Sequence, residues 1–313
     1  MAELLMSPFA LALGAVWGAL LAGSGAVAAL AHRRGPGTCA ELVARTRTWW
    51  WILGLVSAAL LLGSGATILL VAAVSFLAFR EFHAIVPIRM ADRALLALAY
   101  LAIPIQYGFI WMGWYGMFAI FVPVYAFIVL AAAAAVLGET RGFLRASGQL
   151  HWALMLTVYC IGHLAFLAVL PLARPVAAGG AGLLLFVLLI VQGNDVLQYL
   201  WGRTLGARPI VPRVSPGKTW AGFLGGMACS ALLAGLIGPW LTPMAWLPAA
   251  GLGALLALAG FAGDILMSAI KRDLGLKDTG TALPGHGGVL DRLDSLTLAA
   301  PLAFHVIRYF YGA

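Results

Sequence analysis

The chain has 313 residues, of which 63% are hydrophobic and only 10% are charged, and its formal net charge is +8. A soluble domain has about 45–50% apolar and about 25% charged residues, so this composition excludes an ordinary soluble protein and predicts an integral membrane protein. Three cysteines (Cys39, Cys160 and Cys229) are odd in number and far apart, which argues against a disulfide framework and against a thiolate metal site.

Long charge-free runs define the predicted elements. They occupy residues 8–31, 48–79, 94–138, 146–173, 175–194 and 219–263, followed by a weaker apolar run at 295–307. A transmembrane helix needs about 20 residues, so we divide the second run near Gly63, the third near Gly113 and the sixth between Pro239 and Pro243. The sequence therefore predicts an all-α, polytopic integral membrane protein with about ten transmembrane helices and no soluble domain.

Two regions are predicted along this chain. Residues 1–180 would supply scaffold helices, a lipid groove and possible dimer contacts. Residues 181–313 would form a catalytic region with cytoplasmic loops at 202–218 and 268–290. The first run, 8–31, is predicted to be a transmembrane helix rather than a signal peptide, because no basic segment precedes it and its 24 residues exceed a signal-peptide core.

The basic residues predict the orientation in the membrane. If the ten spans are correct, all lysines and arginines except Arg174 and Arg308 fall on alternate loops. Positive residues concentrate on the cytoplasmic side of membrane proteins. We therefore expect a protein of the cytoplasmic (inner) membrane, with these five loops and the active site facing the cytoplasm and both termini outside.

Acidic residues mark the candidate site. Five of the eleven lie between residues 264 and 294. Asp264 and Asp195 fall at the predicted cytoplasmic ends of spans nine and seven, and an acid in a membrane helix is a functional candidate by default. Asp291 and Asp294 lie three residues apart at the start of span ten, which places them on one helix face. Three helices thus bring acids to one membrane level.

A second set of residues suggests phosphate chemistry. Asp264, Ser268 and Lys271 follow the i, i+4, i+7 spacing of one helix face. The following Pro284-Gly-His-Gly-Gly288 stretch would let backbone N–H groups approach an anion beside a helix N-terminus. Carboxylates without a set of Cys or His ligands favour Mg²⁺ over zinc, and Mg²⁺ with lysine and arginine is typical of phosphoryl or nucleotidyl transfer.

The preceding predicted loop carries Ser215-Pro-Gly-Lys218-Thr219-Trp-Ala-Gly222. This stretch lacks the spacing of a phosphate-binding P-loop, yet its serine, lysine and threonine could still bind a phosphate. Purely structural roles remain alternatives for several candidates: Asp264 could form an ion pair with Lys271 or Arg272, and His286 could fix a turn.

From Ser268 to Asp294 the sequence resembles the signature of the phosphatidate cytidylyltransferases, also called CDP-diacylglycerol synthases. It reads Ser-x-apolar-Lys-Arg, four residues, Lys-Asp, and then Leu-Pro-x-His-Gly-Gly-apolar-x-Asp-Arg-x-Asp. The resemblance extends back through Asn194-Asp195 and through 215–222, and covers roughly the C-terminal 40% of the chain.

The resemblance implies a Mg²⁺-dependent reaction in which CTP and phosphatidate give CDP-diacylglycerol and pyrophosphate, in a homodimer and without nucleic acid. Asp264 and Asp291 would be the first metal ligands, with Asp294 and Asp195 next. Asp278 would orient the base or ribose. Catalytic roles fall on Asp264, Lys271, Asp278, Asp291 and Asp294. Binding of CTP and phosphate falls on Ser215, Lys218, Thr219, Ser268, Lys271, Arg272, Lys277, His286, Gly287, Gly288 and Arg292.

Two other functions remain as alternatives. A CTP-dependent lipid kinase of the polyprenol type would use the same pocket but release CDP instead of pyrophosphate. An ion-coupled transporter would also place Asp195 and Asp264 in the membrane, although it would need acids near mid-span rather than at helix ends.

Overall fold

The computed structural model describes residues 7–35, 37–86, 93–138, 140–285 and 287–313. His286, a predicted phosphate-binding residue, lies outside these ranges. Helices dominate the described residues. They are α1 (Pro8–Arg34), α2 (Ala40–Leu62), α3 (Ser64–Ile85), α4 (Arg93–Trp111), α5 (Tyr115–Val136), α6 (Phe143–Leu167), α7 (Gly179–Leu205), α8 (Trp220–Leu241), α9 (Trp246–Asp273), α10 (Leu290–Leu293) and α11 (Leu296–Tyr311).

Eight of the described helices are long and apolar enough to cross a membrane, which confirms an all-α polytopic membrane protein. The other two predicted spans, the second and the tenth, correspond to α2 and α11. Helix α2 begins with a segment containing Glu41, Arg45 and Arg47, and α11 has only 16 residues. The ten predicted spans thus correspond to ten of the eleven described helices, and length and hydropathy qualify eight of them.

Breaks between helices fall close to the predicted positions. Gly63 separates α2 from α3 with a positive φ of 104°, and Gly113 separates α4 from α5 with a φ of 66°. Glycine reaches this backbone region without the penalty that other residues incur. The third break, at 242–245, begins within the predicted interval, and Pro239 remains inside α8. The ends of the two predicted loops also shift, because α7 continues to Leu205 and α9 continues to Asp273.

A short antiparallel hairpin lies in the predicted loop at 202–218, where only a loop was expected. Strand β1 (Pro209–Val211) pairs with β2 (Ser215–Thr219), with Pro209 opposite Thr219 and Val211 opposite Ser215. The hairpin ends at Thr219, whose hydroxyl accepts the Gly222 N–H and so caps α8. A threonine N-cap satisfies a backbone donor that the first helical turn leaves unpaired.

Helix α6 is the most buried of the candidate spans. In its most apolar window 78% of the residues are buried, compared with 6% in α1. At the site, α7, α8, α9 and the start of α11 pack closely. A Cβ atom at Gly263 would contact the Asp294 carbonyl oxygen at 2.5 Å. The backbone of α9 can therefore approach the segment before α11, and this contact places Asp264 beside Asp294.

Candidate active site

Three carboxylates from separate helical segments meet at one end of the bundle. Asp195 lies on α7, Asp264 on α9 and Asp294 directly before α11. Ser295 connects two of them, since its hydroxyl lies 2.9 and 3.0 Å from the two Asp195 oxygens and its N–H donates to Asp294 Oδ1 at 2.8 Å. Burial raises the pKa of Asp294 to about 7, and the negative charges of Asp264 and Asp195 contribute to this rise. The predicted convergence of acids is thus present in the structure.

Asp264 is paired with residues from two elements. Its Oδ2 forms an ion pair with Lys218 of β2, and its Oδ1 accepts the Ser268 hydroxyl at 3.2 Å. The Lys218 ammonium also lies 4.9 Å from the centre of the Phe261 ring, within the range of a cation–π interaction. The hairpin therefore delivers one of the predicted phosphate-binding lysines directly to the acids.

Lys271 contacts a different acid from the one that its helical spacing suggests. Its ammonium donates to Asp291 Oδ1 at 2.7 Å, and both side chains are nearly buried. Burial raises the pKa of Asp291, but hydrogen bonds from Lys271, Gly288 and Thr279 outweigh this effect and hold the pKa below its ordinary value. Asp291 is thus an ionised partner of Lys271.

The backbone around Asp291 is closely organised. Asp291 Oδ2 accepts the N–H groups of Thr279 and Gly288, each at 2.9 Å, and the Thr279 hydroxyl lies 3.0 Å away. Gly287, with a φ of 80°, brings the chain so near that a Cβ there would lie 2.7 Å from the same oxygen. As a metal ligand Asp291 remains a prediction, because its oxygens already accept these donors.

Glu81 on α3 is a residue that the sequence interpretation missed. Its Oε2 accepts the Val289 N–H at 2.7 Å, and its Oε1 accepts the Leu290 N–H at 3.2 Å and the Thr279 hydroxyl. The Glu81 carboxylate therefore occupies the start of α10, where the sequence placed an anion of the substrate. One signal was available: Glu81 is one of few acids in the first 180 residues.

Helix α2 holds the same loop at a second point. Thr48 donates its hydroxyl to the Pro284 carbonyl at 2.8 Å, and Arg45 Nε donates to the Gly285 carbonyl at 2.9 Å. Gly285 has a φ of 74°, and a Cβ there would lie 3.0 Å from Arg45. Residues before 180 therefore contact the signature loop, although the predicted division of the chain into two regions remains a prediction.

The remaining candidates divide into bridging, buried and exposed residues. Arg272 donates to the carbonyl oxygens of Val214 and Leu276, at 3.3 and 2.9 Å, and so connects the hairpin with the following loop. Arg292 Nε is buried and has no hydrogen-bond partner among the described residues. Two candidates, Lys277 and Asp278, are exposed, and Ser215 is half-buried.

Within the described residues no group of three or more His, Cys, Asp or Glu side chains is arranged to hold a metal ion. The chemistry of the donors nevertheless suits Mg²⁺, because Asp195, Asp264 and Asp294 offer only hard oxygen atoms and their charges repel one another. Mg²⁺ is commonly bound by one or two carboxylates together with substrate phosphates and water, so a complete protein cage is not required.

Acids at helix ends that face lysine and arginine suit phosphate-bearing substrates, whose charge basic residues and a bound cation neutralise. A model of the cytidylyltransferase family matches residues 43–310. YnbB, an uncharacterized protein of Escherichia coli strain K12, is 40% identical over 269 residues, which cover 86% of this chain and 88% of YnbB. The chain belongs to the cytidylyltransferase family, which confirms the resemblance seen in the sequence.

Enzymes named phosphatidate cytidylyltransferase are among the similar proteins. The one from Mycobacterium leprae is 39% identical over 128 residues, covering 41% of this chain and 41% of the enzyme. The one from Pseudomonas aeruginosa is 44% identical over 137 residues, covering 39% of this chain and 45% of the enzyme. The alignments thus span less than half of these enzymes.

Proposed function

We propose that the protein transfers the cytidylyl group of CTP to phosphatidate, which gives CDP-diacylglycerol and pyrophosphate for phospholipid synthesis. Membership of the cytidylyltransferase family and the similarity to two named phosphatidate cytidylyltransferases support this proposal. The observation that carries it is the meeting of Asp195, Asp264 and Asp294 beside Lys218 at one end of the helices. Acids and a lysine in this arrangement suit a substrate that arrives with a cation and several phosphates.

The reaction needs no side-chain nucleophile. A phosphate oxygen of phosphatidate attacks the α-phosphorus of CTP, a new oxygen–phosphorus bond forms, and the bond to the β-phosphate oxygen breaks. Pyrophosphate leaves with the electron pair. The protein's task is to align the two phosphates and to neutralise their charge. Five basic residues would do this, namely Lys218, Lys271, Arg272, Lys277 and Arg292.

Arg292 is the clearest of these basic candidates. Its Nε atom is buried without a partner among the described residues, so a bound phosphate would satisfy a donor that is otherwise costly to bury. Lys218 and Lys271 already have acidic partners. In this proposal Lys218 releases Asp264 and turns towards the CTP phosphates when the substrate binds.

Asp264, Asp294 and Asp195 would hold Mg²⁺, and Asp291 would join them only by releasing Lys271. When bound, Mg²⁺ would neutralise phosphate charge and orient the α-phosphorus for attack. Asp264 Oδ1 and Oδ2 currently face Ser268 and Lys218, so their release is part of binding.

The active site would face the cytoplasm at the inner membrane, with both termini outside, because the predicted basic loops lie on the same side as the acids. Homodimer formation is part of the same proposal and rests on the family resemblance. Acyl chains of phosphatidate would remain in the bilayer while the headgroup reaches the acids.

Pyrophosphate release by the purified protein tests this function. We expect pyrophosphate only when CTP, phosphatidate and Mg²⁺ are all present. Asp264→Asn and Asp294→Asn should abolish it, whereas Asp273→Asn, a matched change at an exposed acid of the same region, should leave it intact. Lipid-dependent release of CDP without pyrophosphate would indicate the kinase instead, and no lipid-dependent turnover of CTP would contradict both enzymes.

A further inference from the structure

Glu81 and the signature loop lie about 200 residues apart in the sequence but are in direct contact. Glu81 lies about one turn before the C-terminal end of α3, where the helix dipole disfavours a negative charge. Its carboxylate is stabilised instead by the Val289 and Leu290 N–H groups and by the Thr279 hydroxyl. The donors of the loop therefore stabilise the Glu81 carboxylate, and Glu81 in turn fixes the position of the loop.

Glu81 and Asp291 together bind consecutive backbone donors. Asp291 takes the Gly288 N–H, while Glu81 takes those of Val289 and Leu290. Thr279 lies between the two carboxylates and contacts both. These donors are consequently bound by the protein's own acids, and the segment that leads into Asp291 and Asp294 is fixed from the side of α3.

Gly288 makes this arrangement possible. A Cβ atom at this position would overlap Glu81 Oε1 and the Thr279 hydroxyl. The absence of a side chain at Gly288 is thus explained by the approach of Glu81, independently of any phosphate.

We propose that Glu81 is a positioning residue of the transferase site, an inference whose catalytic part rests on the proposed function. Glu81 acts through the backbone: it holds residues 279–285 and 287–290 so that Asp291 stays opposite Lys271 and Asp294 stays beside Asp264. It contacts neither substrate. Both of its oxygens accept hydrogen bonds, so glutamine, which has one acceptor oxygen and one amide NH₂ donor, cannot replace it.

Glu81→Gln is therefore the informative variant, because it keeps the shape but presents an NH₂ group to one of the backbone donors. Glu81→Asp keeps both oxygens on a shorter side chain and should restore part of the activity. Asp273→Asn serves as the matched loss of a carboxylate at an exposed position.

Hydrogen–deuterium exchange tests the contact without reference to activity. In Glu81→Gln, amides of the peptide spanning 279–293 should exchange at least about tenfold faster than in the wild type, while peptides from α5, α6 and α8 are unchanged. Unchanged exchange at 279–293 would overturn the proposal. Faster exchange throughout the helices would also overturn it, because Glu81 would then maintain the whole fold.

Steady-state kinetics test the consequence for the reaction. Glu81→Gln should lower kcat by at least about tenfold while the KM for CTP changes less than about threefold, and Glu81→Asp should lie between Gln and the wild type. A raised KM with unchanged kcat would mean that Glu81 serves substrate binding, which contradicts positioning. If the wild type itself forms no CDP-diacylglycerol, the proposed function fails, and the exchange result alone then decides whether Glu81 holds the loop.

Discussion

Replacement of Gly288 by alanine separates two explanations for the Gly-Gly pair in the signature loop. The methyl group would overlap Glu81 Oε1, the oxygen that accepts the Leu290 N–H and the Thr279 hydroxyl. Hydrogen bonds to a charged group contribute about 1.5–3 kcal/mol each. Loss of both should cost at least about 3 kcal/mol, and if all of this appears in the transition state, kcat falls roughly a hundredfold.

A double-mutant cycle with Glu81→Ala tests the mechanism. Glu81→Ala removes the nearer of the two overlaps at 288 and leaves only that with the Thr279 hydroxyl, a side-chain atom that can rotate, so the double variant should be little slower than Glu81→Ala alone. The coupling energy should then equal about 3 kcal/mol. Initial rates of CDP-diacylglycerol formation would be measured for the four proteins, with Gly251→Ala as the control because a Cβ at Gly251 meets no atom within 4 Å. If the two losses add to within about 0.5 kcal/mol, Gly288 does not serve the approach of Glu81, and our reasoning is refuted.

Three further predictions concern the same site. Thr48→Val removes the hydrogen bond from the Thr48 hydroxyl to the signature loop and should cost about 0.5–1.5 kcal/mol of transition-state stabilisation. The control is Thr46→Val, which removes a hydroxyl bonded to a carbonyl of α2 itself and should not change kcat. Equal rates in the two variants would mean that the contact with the loop does not serve the reaction. Lys271→Met removes the ionic partner of the nearly buried Asp291, which keeps only its Thr279 and Gly288 donors, and should cost up to about 3–5 kcal/mol of stability, measured by thermal melting. Adding Asp291→Asn should recover part of this loss, and no recovery would argue against the ion pair. Because burial raises the folded-state pKa of Asp294 to about 7, the metal-free protein should lose stability as pH rises from about 4 to about 7, and thermal melting of Asp294→Asn should show a weaker slope; an unchanged slope would assign the effect to another group.

The helices and the acids could be predicted because their signals are local. Charge-free runs and the charged residues that interrupt them locate the spans directly. The run at 48–79 is too long for one span, and Gly63 marks the point where it divides. Asp195, Asp264 and Asp294 stand out because an acid at the end of an apolar run is rare. Their convergence follows because the runs before Asp195 and Asp264 end, and the run after Asp294 begins, on the same side of the predicted topology.

The contacts that organise the loop could not be predicted in the same way. Lys271 shares a helix face with Asp264 by spacing, yet it pairs with Asp291 because the loop returns beside α9. Glu81 reads in sequence as an ordinary charge at the end of a span, and only the fold shows its donors. Pairings over such separations depend on how helices pack, which periodicity does not record.

The hairpin was missed for a related reason. Strand β2 contains Pro216 and Gly217, residues that are rare within strands and that favour an irregular loop. Its partner strand is only three residues long, and the register between the two contains an irregularity. The position of Lys218 against Asp264 depends on this hairpin and could not be derived from the loop composition.

The fate of the CTP phosphorus atoms tests the central claim most directly. Purified protein in detergent with phosphatidate and Mg²⁺ would receive CTP labelled at the α-phosphorus in one reaction and at the γ-phosphorus in another. We predict that the α label enters the lipid and that the γ label is released as pyrophosphate. Entry of the γ label into the lipid, or of neither label, would contradict cytidylyl transfer by this protein.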